Sequence, residues 1–97
     1  MNYINELAQA IGRECDMDVG HPPDRQLLSY YALLALVTGV ETTSENVHDA
    51  WSAWRVEEFC NHRSAIPFNE LSAEVQALDD EYRDAIIKVA KVDADGR

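Results

Sequence analysis

The run Leu27-Leu28-Ser29-Tyr30-Tyr31-Ala32-Leu33-Leu34-Ala35-Leu36-Val37 most constrains what this chain can fold into. As a helix it is apolar almost all round, and such a helix must be covered on several sides. It falls far short of the ~20 residues that a membrane span needs. The cover therefore has to come from protein. Asp24, with Pro23 tolerated at a helix start, opens the element, and Gly39 after Thr38 provides a left-handed stop. A chain of 97 residues is one domain with a single modest core.

The remaining segments supply partners for that central helix. Ile4, Leu7, Ala8 and Ile11 fall at i, i+3, i+4, i+7, an apolar stripe for a first helix that Gly12 weakens at its end. Asp16 to Pro23 reads as a loop, because Gly20, Pro22 and Pro23 cannot continue a helix. Thr42 with Glu45 three residues on is a capping-box pattern that opens a third helix, with Val47, Ala50, Trp51 and Trp54 on one face. Cys60 to Phe68 forms a loop ended by Pro67. A fourth helix opens at Ser72, with the stripe Val75, Leu78, Tyr82, Ile86 and Val89, and residues 93–97 fray. The expectation is all-α: a compact single-domain bundle of about four helices over residues 1–97, with no strand.

Charge narrows the function classes. Eighteen acidic against eight basic side chains give a formal net charge of -10. That field keeps a protein soluble and repels phosphates and anionic lipid, so direct nucleic-acid or membrane binding is not expected. The N-terminus has neither a basic segment nor an apolar core of the secretory kind, which points to the cytoplasm. Cys15 and Cys60 lack the spacing of a disulfide framework and read as reduced thiols.

Chemistry-bearing residues are few. On a helical wheel His48 and Arg55, seven apart, stack on one flank beside Trp51. A cation and an imidazole flanking an indole can line a pocket for an anionic or aromatic ligand, to which the basic pair His62-Arg63 could add. The bland reading is that His48 bonds a loop carbonyl and Arg55 pairs with an acid. Glu45-x-x-His48 is half of a carboxylate di-metal motif that this chain does not repeat. Cys15, His21, Cys60 and His62 lack the paired spacings of zinc sites, and Cys60 with His62 or His48 is an unmarked dyad. Asp79, Asp80, Glu81 and Asp84 read as a solvated helix face. No metal, cofactor or catalytic centre is expected.

The segment Glu45-Asn46-Val47-His48-Asp49-Ala50-Trp51, followed by His62, Pro67-Phe68, Leu71 and Asp79, resembles the ryanodine-receptor repeat, or RyR domain, over about residues 45–90. By that resemblance Trp51 anchors the core, Asn46 and His48 tie helix to loop, and Pro67, Phe68 and Leu71 seat the last helix. The family's longer hairpin between its tryptophan helix and the His-Pro step is reduced here to Val56–Asn61. Gln76 and Asp80 stand where the family often carries Lys and Arg, and Arg63 replaces the Pro after His62. The His48-Asp49-Ala50-Trp51-Ser52-Ala53-Trp54 segment, which brings in Trp54, is also similar to small proteins of actinobacteria and their phages.

The resemblance implies an interaction module. RyR domains are peripheral docking elements in calcium channels, and in prokaryotes they have been proposed as sensors of nucleotide-derived signals. The leading expectation is a small cytosolic, non-enzymatic module that docks on another protein, a host protein if the chain is phage-encoded. The alternative is a sensor or sponge for a cyclic-nucleotide or ADP-ribose type of signal, with a homodimer if two copies share the pocket. Third stands an acidic DNA mimic.

Overall fold

In the computed structural model residues 2–19, 24–59 and 65–95 are described. They form five α-helices and two short 3-10 turns, with no strand among the described residues: α1 (Tyr3–Val19), α2 (Arg25–Val37), a 3-10 turn (Gly39–Glu41), α3 (Ser44–Phe59), a second 3-10 turn (Phe68–Glu70), α4 (Ala73–Ala77) and α5 (Asp80–Asp95). The fold is all-α and a single domain. Helix α2 lies at its centre, against α1, α3 and α5.

The core follows the apolar stripes. Leu7, Ala8, Ile11 and Cys15 of α1 meet Leu27, Leu28, Tyr31, Ala32 and Ala35 of α2, Val47 of α3, and Ala85, Ile86, Val89 and Ala90 of α5. Gly12 does not end α1, which continues through the stretch 16–19 expected to be loop. A Cβ at position 12 would stand 3.1 Å from Leu28 Cδ1, so glycine is what lets α1 and α2 approach there. Asp24 caps α2 by accepting from the Gln26 N–H at 2.8 Å. Gly39 adopts φ +57°, as expected after a helix. The covering of α2 is incomplete, because Leu33 is 50% and Val37 72% exposed.

The cap of α3 sits one residue later than the sequence suggests. Thr43 Oγ1 accepts from the Asn46 N–H at 3.1 Å, and Asn46 Oδ1 accepts from the Thr43 N–H at 2.9 Å. Thr42 is buried instead and donates to the Gly39 carbonyl at 2.7 Å. Neither Trp51 nor Trp54 is fully buried; both pack against the margin of the core.

The expected fourth helix is two helices. Ser72 caps α4 by accepting from the Val75 N–H at 3.3 Å. The chain then turns at Leu78 and Asp79 before α5 begins. Gln76 Nε2 donates to the carbonyls of Phe68 at 2.9 Å and Leu71 at 3.2 Å, holding α4 to the preceding turn. Leu78, expected in the stripe, is 67% exposed as a result. Helix α5 extends to Asp95, and residues 96 and 97 of the tail expected to fray lie outside the described residues.

Candidate functional site

His48 is the polar centre of the motif half. Valine at 47 and histidine at 48 both turn inward because α3 packs between α2 and the segment that carries Phe68 and Asp79. The imidazole is only 3% exposed. Its Nε2 lies 2.7 Å from the Ile66 carbonyl oxygen. A carbonyl can only accept, so this nitrogen carries the proton. Ser52 Oγ is 3.3 Å from the same nitrogen, and Nδ1 faces the Asp79 carboxylate at 3.9 Å. The ring stacks on Trp51, with centroids 5.7 Å apart and planes 23° apart, and is tilted against Phe68 at 6.1 Å.

Asp79 reaches His48 because it occupies the joint between α4 and α5. Burial pushes its carboxyl up to about 6; His48 opposes the shift and Asp80 reinforces it. Tyr31 and Tyr82 stand close by, with ring centroids 5.9 Å apart. Burial raises both hydroxyls above the usual phenol range, and Asp79 contributes to each. Asp80 is equally engaged. Ser44 Oγ donates to its carboxylate, and Arg83 Nη1 donates to Ser44 Oγ at 3.3 Å and to Asp80 at 3.4 Å. The acidic run is therefore not a plain solvated face: Asp79 and Asp80 tie α5 back to α3.

The residues singled out for ligand binding are only partly gathered. His48 and Trp51 share one cluster, but their own chain fills it. Arg55 is half-buried and lies about 10 Å of helix rise beyond His48. His62 and Arg63 lie outside the described residues, as do Cys60 and His21. Among motif residues, His48, Trp51, Phe68 and Asp79 converge; Asn46 caps its own helix, and Glu45, Pro67 and Leu71 stay at the surface or half-buried. Among the described residues no three His, Cys, Asp or Glu side chains stand together as a metal site, and no helix is long and apolar enough to cross a membrane.

A second feature is a groove of about 310 Å³ between α1 and α5. Cys15 lies near Tyr82, whereas Tyr3 shares the groove with Val92, so the two helices run antiparallel. The floor is Leu7, Ala10 and Val89, and the lips are Tyr3, 62% exposed, and Val92, 69% exposed. Its charges are polarised along its length. Glu6 and Asp93 stand at the Tyr3 end, and Arg13 stands at the other with Lys88, which bonds Glu14 at 2.9 Å. The sequence held a signal for this line: Tyr3, Glu6, Ala10, Arg13 and Glu14 recur at spacings of three and four beside the core stripe, which they meet at Leu7.

No curated protein and no solved structure matches the chain. Residues 2–91 match a family described as "Domain of unknown function (DUF7701)". With α1 to α4, most of α5 and the entire His48 cluster inside that match, though Val92 and Asp93 of the groove lie beyond it, the chain belongs to this family.

Proposed function

We propose that the chain is a non-enzymatic module that docks on another protein through the α1/α5 groove. One observation carries this reading: an aromatic and an aliphatic side chain, Tyr3 and Val92, stand mostly in solvent over an apolar floor. Exposed apolar surface that is continuous and rimmed by charge marks interaction sites. The polar cluster supports the non-enzymatic part, because the Nε2 proton of His48 is committed to Ile66 rather than offered to a substrate. Meeting of His48, Trp51, Phe68 and Asp79 at one point supports kinship with the RyR repeat. A cytoplasmic setting fits the strong negative charge. That charge also opposes a homodimer, since two copies would bring their like fields together.

The test is capture of partners from source-cell lysate on immobilised wild type and on Val92→Glu. A protein retained by the wild type and lost by the variant supports the reading; identical sets on both refute it.

The second reading, a binder of a nucleotide-derived signal, is favoured by the groove's size alone, because Glu14 pairs with Lys88 and the lining holds more acids than bases. Its volume lies at the low end of the roughly 300–1,000 Å³ of small-molecule sites. A nucleotide panel at ~100 times a ligand's dissociation constant would raise stability by about 2.7 kcal/mol if this were so. The docking reading expects no shift with any member.

A further inference from the structure

The groove's shape and charges say more about its occupant. Tyr3 to Glu14 is about 16 Å of helix rise, or three turns. That length matches a short amphipathic helix whose i, i+3, i+4, i+7 side chains enter an apolar floor. Over the middle turns of both walls, from Leu7 to Arg13 of α1 and at Lys88 and Val89 of α5, the N–H and C=O groups are bonded within the helices, so an added strand would have no backbone to pair with there.

The charges fix the direction. Full side-chain charges outweigh the half-charges of a helix end. An occupant with a basic end over Glu6 and an acidic end over Arg13 meets opposite charge at both places, Lys88 being already paired with Glu14. Helices themselves favour acids in the first turn and bases in the last. The two preferences agree when the occupant runs antiparallel to α1. A second copy of this chain fits poorly, because each carries a net charge of -10. An anionic membrane is repelled for the same reason.

Resting on the docking reading above, we infer that the groove receives one amphipathic helix of a protein partner, laid antiparallel to α1, its acidic first turn over Arg13 and its basic last turn over Glu6. The partner's apolar stripe contacts Tyr3, Leu7 and Val92, and its charges set the register.

The test uses the full chain and a synthetic amphipathic peptide with Glu in the first turn, Leu at i, i+3, i+4, i+7 and Lys in the last. A nitroxide spin label sits at the peptide's basic end. In the wild type the label is expected to broaden amide resonances around Tyr3 and Glu6 more strongly than those around Glu14. The double variant E6K/R13E keeps the net charge and changes only exposed positions, so far-UV circular dichroism should be unchanged. In it, broadening is expected to move to the Glu14 end. Val92→Glu is expected to weaken binding at least tenfold, a loss of about 1.4 kcal/mol.

Broadening at the same end in both proteins, saturable binding that Val92→Glu leaves intact, or no binding would each overturn the inference. The two readings separate cleanly. If Val92→Glu loses a captured partner while the peptide fails, the helix inference falls and the docking reading stands. If Val92→Glu captures what the wild type captures, both fall.

Discussion

Replacing Asp79 with asparagine removes a carboxylate that the fold holds half-buried against His48, Asp80, Tyr31 and Tyr82. Its carboxyl is raised from 3.8 to about 6 in the folded chain. The folded state thus binds this proton more tightly than the unfolded state. Linkage then gives a stability that is highest below pH ~4 and falls as pH rises from about 4 to 6, with the full penalty above that window. Two units correspond to about 3 kcal/mol, which solvent screening of a partly accessible group reduces to ~1–2 kcal/mol. Asp79→Asn is therefore expected to be more stable than wild type at pH 8 by ~1–2 kcal/mol, a rise of roughly 5–10 °C in Tm for a domain of this size. Below pH 4 the two proteins should converge. Urea denaturation followed by circular dichroism at pH 4, 5, 6, 7 and 8 measures the difference, and groups common to both proteins cancel. A variant less stable than wild type at pH 8 would refute the reasoning, since it would mean that the ionised carboxylate gains more from His48 than burial costs it. A difference that does not vary with pH would refute it as well.

Two further substitutions probe the connections that position the site. Gly39→Ala places a Cβ in open space but in a left-handed conformation, so its cost is backbone strain alone, about 1–2 kcal/mol by thermal unfolding. Thr43→Ala removes the hydroxyl that accepts from Asn46 and is expected to cost about 1 kcal/mol, visible as faster amide hydrogen exchange in the first turn of α3.

How legible the fold was depends on which force decided each element. Helices α1, α2, α3 and α5 follow apolar periodicity, and Leu7, Ile11, Val47, Ile86 and Val89 sit in the core where their stripes put them. The α3 cap slipped by one because Thr42 and Thr43 offer the same hydroxyl, and burial of Thr42 against Gly39 and Thr38 chose between them. Nothing local signals the break at Leu78 and Asp79; neither glycine nor proline is there, and the cause is the grip of Gln76 on Phe68 and Leu71. Gly12 read as a helix weakener because its reason for being there, Leu28, lies on another helix. At the candidate site, the pairing of His48 with a loop carbonyl was readable from the need of buried polar groups for partners. Its second neighbour, Asp79, was hidden by the unsuspected joint. The groove escaped notice because its line of residues interleaves with charge and so looks like an ordinary wet surface.

The joint also changes where negative charge falls along the chain. In one uninterrupted helix from Ser72, Asp79, Asp80, Glu81 and Asp84 would crowd its middle turns, where no dipole compensates them. By restarting the helix at Asp80, the chain converts Asp80 and Glu81 into first-turn residues, where the aligned peptide dipoles favour them. The same restart sets a phase. One residue inserted or deleted between Ser72 and Tyr82 would rotate α4 against α5 by about 100° and carry Asp79 away from His48. Spacing across this short stretch is thus a stricter requirement than the identity of exposed residues within it, such as Leu78, and insertions there should be tolerated far less well than substitutions.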